Sequence, residues 1–203
     1  MSQTGIIESK LPGDPLELFR HWWADAQDKS GMLEPTGMSL ATADAQGRPS
    51  SRIVLLKHWD SRGFVFFSNY TSRKGRDIHD NPHVALLFWW DKLRRQVRVG
   101  GKAQKLPERE SDAYFANRPR GSQLGAWASQ QSRPLDSRET LQKRVEELDR
   151  EFGSDPIPRP PHWGGYRVVP EEIEFWDDGE FRLHDRICYF RDGEQWRTER
   201  LYP

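Results

Sequence analysis

Apolar residues along this 203-residue chain fall in short, dense runs divided by turn-forming or charged stretches, a spacing that predicts strands more often than helices. The first periodic stretch is the exception. Leu16, Phe19, Trp22, Trp23 and Ala26 recur at helical spacing, Asp14 is placed to cap and Pro15 suits a first turn, so a helix is predicted over 15–30. GMSLATA (37–43), SSRIVLLKHW (50–59) and FVFFSN (64–69) then read as strands. The short turns between them, Asp44-Ala45-Gln46-Gly47 and Asp60-Ser61-Arg62-Gly63, predict antiparallel hairpins. Thr71 or Ser72 caps a predicted helix over 72–80. HVALLFWW (83–90) and RRQVRVGGKAQKL (94–106) form a further strand pair, with Gly100-Gly101 marking a bulge or bend.

The pattern changes after Leu106. Residues 107–118, 122–131 and 137–152 are helical in period, the last opened by a weakened capping box, Ser137-Arg138-Glu139-Thr140, whose fourth residue is not Glu. A Pro-rich connector over 153–165 excludes helix. YRVV (166–169), EIEFW (172–176) and ICYFR (187–191) read as closing strands, and WRTERLYP allows one more. Strands, then helices, then strands predict an α+β fold on an antiparallel sheet or barrel rather than a βαβ series. One domain over 1–203 is expected, with 1–13 flexible, because the late strands are too few for a core of their own.

Composition narrows the function. Thirty-one basic residues balance thirty-one acidic ones, and a neutral chain lacks the field that nucleic acid or an anionic membrane requires. Cys188 is the only cysteine, which rules out an internal disulfide and a multi-cysteine zinc site. Six histidines without an HExxH pattern give no expectation of a metal. The start of the chain lacks a signal-peptide pattern and no apolar run reaches membrane-spanning length, so a cytoplasmic location is expected. Neither GxGxxG nor a P-loop is present.

Four stretches carry candidate chemistry. Arg52 and Lys57 bracket an apolar strand, on opposite faces if it is regular; taken alone, the stretch reads more readily as a half-buried strand with solvated ends. Thr71-Ser72-Arg73-Lys74 puts hydroxyls and cations at a helix start, a natural phosphate cradle and also a plain capped helix. Tyr114 and Arg118 share a helical face, followed by Ser122 and Gln131-Ser132. Arg182, His184 and Arg186 point the same way on a strand, which requires anions or solvent opposite them.

Taken as whole motifs, RIVLLK (52–57), SRKGRDI (72–78), RRQVRVGGKA (94–103), YFANRPRGSQLGAWASQQS (114–132), HWGGYRV (162–168) and IEFW with RLHDR (173–186) resemble the pyridoxamine 5′-phosphate oxidase family from Leu11 to the C-terminus. The resemblance implies a split β-barrel with peripheral helices, forming a homodimer with two FMN at its interface. It places Arg52, Ile53, Val54, Leu55, Leu56, Lys57, Phe67 and Ser68 along the flavin. Arg73 and Lys74 would hold the FMN phosphate region, Gln131 and Ser132 would contribute from the partner segment, and Gln96, Trp176 and Arg186 would also contact the flavin. Lys57, Tyr114, Arg118 and Ser122 match the set that binds the substrate phosphate; Arg182 and His184, with Leu183 between them, match the pair that orients the pyridine ring. The implied reaction oxidises pyridoxamine or pyridoxine 5′-phosphate to pyridoxal 5′-phosphate, with dioxygen as acceptor. A related FMN oxidase acting on another ring, as in phenazine biosynthesis, is the alternative within the same fold. Many members also carry an N-terminal Arg-Arg-Glu-Tyr-like segment over the substrate; this chain begins without one, so altered substrate closure is expected.

Overall fold

A computed structural model of the chain describes residues 5–28 and 31–203. Helix α1 (Pro15–Asp28) starts where Asp14 Oδ1 accepts from Leu16 N at 2.9 Å; residues 29 and 30 of its expected span lie outside the described residues. The first strands are β1 (Gly37–Ala43), β2 (Pro49–Leu55), β3 (His58–Asp60) and β4 (Gly63–Asn69). Next come α2 (Arg73–Asp80), β5 (His83–Trp90), β6 (Arg95–Lys105), α3 (Glu108–Ala116), α4 (Arg120–Ala128) and α5 (Arg138–Phe152). Strands β7 (Trp163–Asp177), β8 (Asp185–Asp192) and β9 (Gln195–Arg200) finish the chain. The strands form one antiparallel sheet in the order β2-β1-β5-β6-β7-β4-β3, with β8 and β9 continuing from β7. The expected α+β class and antiparallel split barrel are what the chain forms.

The single strand expected over 50–59 is broken at Leu56-Lys57, and that break closes the curl. Strands β2 and β3 are neighbours in sequence yet lie at opposite ends of the sheet order. At the corner Leu56 N bonds Thr36 O (2.9 Å), while Lys57 N bonds Val65 O (2.9 Å), so the backbone changes partner strand within one residue. The Leu56 side chain is buried and anchors the turn.

Strand β7 corrects a second expectation, because 166–169 and 172–176 belong to one strand that begins at Trp163. Its first half pairs with β4, its second with β8, and β6 runs along both. Pro170 has no N–H to give a ladder, and the strand survives it by a register shift opposite Gly100-Gly101. A side chain at Gly101 would meet Val169 O at 2.1 Å, so the bulge admits only glycine there.

A third expectation fails at 182–186. Glu180–Arg182 form a 3₁₀ turn, with Phe181 at φ 55° and Arg182 at φ 63°, and only Arg186 of the three cationic positions lies in β8. Helix α4 likewise starts at Arg120 and stops at Ala128, leaving Gln131 in the following turn.

The core lies between α1 and the concave sheet. Phe19 is fully buried, edge-on to Phe64 (4.9 Å) and Trp59 (5.0 Å), while Trp22 packs edge-on to Phe175 (5.3 Å). A second cluster, Phe115, Leu124, Leu148, Ile157 and Trp163, seats α3–α5 against the start of β7. Cys188 is buried, as expected of a small core residue. Of the stretch expected to be flexible, residues 1–4 lie outside the described residues. The remainder makes specific contacts: Ile6 N donates to Asp185 Oδ2 (3.1 Å), Tyr189 OH to Pro12 O (3.0 Å) and Arg200 Nε to Glu8 Oε1 (2.7 Å). Among the described residues no helix is long and apolar enough to cross a membrane.

Candidate active site

The corner after β2 opens onto a cleft of about 640 Å³. Strand β2 supplies Arg52, Ile53, Val54 and Leu55, the corner Lys57, and β4 Phe67 and Ser68. Helix α2 adds Lys74, the α3–α4 region adds Tyr114, Arg118 and Ser122, and the turn after α4 adds Gln131. Four cations line the cleft and no Asp or Glu does. A partly buried cavity with that imbalance suits an anion, since cations taken from water need a counter-charge.

One end is built on the first turn of α2. Ser72 caps it, Oγ accepting from Gly75 N (3.3 Å). A side chain at Gly75 would meet Tyr70 O at 2.1 Å, so the turn sits hard against β4's exit. Lys74 Nζ donates to Gln131 Oε1 at 2.6 Å and to Ser72 Oγ at 3.3 Å. Burial, with the nearby Arg52 charge added, pulls the Lys74 ammonium down to about 8. Arg52 is itself pulled down by burial, an effect that Asp77 opposes and Arg73 reinforces. These three cations therefore crowd one end. Because unfolded lysine titrates near 10.5, the unfolded chain holds more protons between about pH 8 and 10.5. Lys74 thus favours the ligand-free fold increasingly as pH rises through that window.

The other end is aromatic and cationic. Tyr114 stacks on Phe67 at 3.8 Å, and Phe67 stacks on Trp163 at 5.4 Å. The Arg118 guanidinium lies over Trp163 at 4.5 Å, and its Nη1 is buried without a hydrogen-bond partner. Burial lowers the Arg118 pKa and raises that of Tyr114, whose rise Arg118 opposes. Arg118 lies just past α3, not on it; its N–H still bonds Phe115 O (3.1 Å), which keeps it beside Tyr114. An unpaired buried guanidinium N–H costs stability unless a ligand meets it.

The remaining sequence candidates do not line this cleft. Leu56 points into the core, Arg73 opens α2 beside Lys74, and Ser132 (φ 71°) follows Gln131. Gln131 meets Lys74 within one chain. The other group forms a separate patch on β6–β8. Gln96 pairs across the sheet with Trp176, and the Trp176 ring lies 4.5 Å from that of His184. His184 Nδ1 is 3.1 Å from Asp178 Oδ1. Arg186 Nε donates to Glu174 Oε1 (2.8 Å), and Glu174 also pairs with Arg98 (2.6 Å). Arg182 and Leu183 are exposed.

Comparison with known proteins reads both halves of this arrangement. The family model described as "Pyridoxamine 5'-phosphate oxidase" matches residues 25–150, and the "Pyridoxine 5'-phosphate oxidase C-terminal dimerisation region" matches 163–203. A "Pyridoxine/pyridoxamine 5'-phosphate oxidase" of Rubrobacter xylanophilus is 57% identical over 202 residues, covering 100% of this chain and 93% of the relative. The chain belongs to the pyridoxamine 5′-phosphate oxidase family.

A second family member, from Gluconobacter oxydans, is 53% identical across 100% of both chains. Among solved structures, PhzG from Burkholderia lata, in complex with tetrahydrophenazine-1-carboxylic acid, superposes with TM-score 0.91 at 36% identity, over 98% of each chain. The exposed Arg182 patch falls inside the family's dimerisation region, and the protein is a homodimer acting on a small molecule. Sequence reasoning passed over Asn69, Gly125, Ala126, Ser129 and Trp163, all of which line the cleft. Asn69 directly follows Phe67-Ser68 and Trp163 sits in the HWGGYRV motif, so adjacency was the available signal.

Proposed function

We propose that the protein is an FMN-dependent oxidase that converts pyridoxamine and pyridoxine 5′-phosphates to pyridoxal 5′-phosphate. Dioxygen is the terminal acceptor, and the products include hydrogen peroxide and, from the amine, ammonia. The observation that carries this reading is the carboxylate-free cleft with two cationic ends, one of which holds a buried, unpartnered Arg118 Nη1. Two phosphorylated molecules fit two such ends.

Arg52, Arg73, Lys74, Gln131 and Ser132 would hold the FMN phosphate, with Ile53, Val54, Leu55, Phe67 and Ser68 along the flavin. Lys57, Tyr114, Arg118 and Ser122 would take the substrate phosphate, Arg118 closing its free N–H on a phosphate oxygen. Gln96, Trp176 and Arg186 of the partner subunit would complete the flavin site, placing FMN at the dimer interface; Arg182, Leu183 and His184 would then lie over the pyridine ring. FMN held there would supply the acceptor for a hydride from the substrate C4′, with dioxygen as the final electron acceptor. The protein contributes placement: fixed cations hold both phosphates, and His184, backed by Trp176 and Asp178, orients the reacting carbon.

Anaerobic mixing tests the reading. Pyridoxamine 5′-phosphate is expected to bleach the flavin band of the FMN-loaded protein. Bound FMN that pyridoxamine 5′-phosphate leaves unbleached would shift the assignment to another ring substrate, such as the phenazine type. The Arg118–Tyr114–Ser122–Lys57 set favours a phosphate.

Replacing Lys74 is expected to act on FMN and not on the substrate. Lys74→Ala should weaken FMN about tenfold, the worth of one charge-assisted hydrogen bond. With Lys74 near 8 in the ligand-free protein, FMN affinity should fall as pH rises above that value and binding should take up a proton there. Fluorescence titration of FMN across pH, in wild type and variant, checks both; an unaltered pH profile in the variant removes Lys74 from the phosphate site.

A further inference from the structure

We propose that Thr42 and Asp77 are positioning residues for the FMN-phosphate end of the cleft, a buried hydroxyl relay that fixes the guanidinium of Arg52. The inference rests on the FMN reading above and concerns residues that do not line the cleft.

Thr42 occupies an inward position of β1 and is 3% exposed; Asp77, on α2, is 6% exposed. Arg52 Nη1 donates to Thr42 Oγ1 at 2.7 Å, and Thr42 Oγ1 donates to Asp77 Oδ2 at 2.7 Å. The chemistry leaves no other direction. A guanidinium can only donate, a carboxylate can only accept, and a hydroxyl has one proton to give. Ser50 O, 3.5 Å from the same hydroxyl, is too distant to compete for it. Arg52 is closed off by Leu40 O (3.1 Å) and Ser50 Oγ (2.8 Å), and Asp77 Oδ2 stands 3.8 Å from its Nη2.

Lys74 and Asp77 are three residues apart on α2 and so share a face of the helix. One turn thus sends a cation into the cleft and sets a carboxylate behind the neighbouring cation. That placement matters because Arg52, Arg73 and Lys74 crowd together and repel. An untethered Arg52 would swing away from its neighbours and would have to be ordered again when an anion binds. A long side chain held beforehand spares that cost at the moment of binding. Asp77 lies behind Arg52, outside the lining of the cleft, so it orients the cation without adding a carboxylate to the wall that meets the phosphate.

A purely structural role, pinning α2 to the sheet, predicts a different result, and two flavins separate them. FMN and riboflavin share the ring system and differ in the phosphate. In fluorescence titrations of the cofactor-free protein, Thr42→Val is expected to weaken FMN about five- to tenfold, the worth of one such hydrogen bond. Riboflavin affinity should stay within about twofold, and Thr42→Ser should restore FMN binding. Asp77→Ala adds a sign test: by charge alone it would tighten FMN, whereas loss of the relay weakens it. Thr42→Val is nearly isosteric and keeps the test open if Asp77→Ala fails to fold. Equal weakening of both flavins by Thr42→Val, no weakening of FMN, or tighter FMN in Asp77→Ala overturns the relay. A wild-type protein that binds neither flavin overturns the FMN reading itself, and the relay with it.

Discussion

Arg182→Ala and His184→Ala are expected to lower turnover of pyridoxamine 5′-phosphate on the order of a hundredfold while FMN stays bound, the scale of loss when a reactant is no longer held in line. The 178–184 turn is shaped to present these two side chains. Phe181 and Arg182 both adopt left-handed backbone angles, a conformation that persists only where the surroundings enforce it. Here Leu183 N bonds Glu180 O (3.0 Å), and the chain folds back so tightly that a side chain on Gly179 would meet Leu183 O at 2.0 Å. The ring of His184 is held from two sides, by Trp176 at 4.5 Å and Asp178 at 3.1 Å. Arg182, by contrast, is exposed within one chain, and Phe181 beside it is 89% exposed. Under the proposed function, the partner subunit's cleft would receive this turn. Steady-state kinetics beside FMN titration check the division of labour. Loss of FMN in step with loss of turnover would move these residues to the cofactor site.

Glu174→Ala should cost substantial stability although Glu174 is no part of the hydrophobic core. Glu174 is 5% exposed and stands between two guanidinium groups, Arg186 at 2.8 Å and Arg98 at 2.6 Å. Removing it leaves two like charges facing each other over a buried gap, and breaking a buried pair in this way costs about 3–5 kcal/mol. Arg98 is half exposed and keeps part of its hydration, which favours the lower end of that range. For a chain of this length, about 3 kcal/mol lowers the melting temperature by roughly 6–12 °C. Glu174→Gln, which keeps the shape and one acceptor, should lose less. Thermal unfolding at fixed protein and FMN concentration gives the comparison, and a drop of under about 2 °C for Glu174→Ala would show that solvent already screens the two arginines.

Much of this fold is legible in the chain because its signals are local. The period of Leu16, Phe19, Trp22 and Ala26, the alternation in β1 and β5, and the Ser72 and Ser137 caps depend on neighbours a few residues away. The helix start at Ser72-Arg73-Lys74 was readable for the same reason. Where the backbone's partners are distant, local reading failed. The corner at Leu56-Lys57 turns on hydrogen bonds to Thr36 and Val65, and β7 runs through Pro170 only because β6 bulges opposite. The strand expected at 182–186 became a turn because tight packing of Gly179 against Leu183, with the cap Leu183 N to Glu180 O, outweighed the alternation of its side chains.

By itself, then, the sequence determined the antiparallel α+β class, the starts of α1, α2 and α5 and the residue types able to grip phosphate, since all three follow from spacing and side-chain chemistry. Only the tertiary structure decided that Arg52, Lys74 and Arg118 face one carboxylate-free cleft while Arg182 and His184 stand on another patch. Which side chains meet is set by how a nine-stranded sheet curls and where a bulge shifts register, and no stretch of adjacent residues encodes that distance.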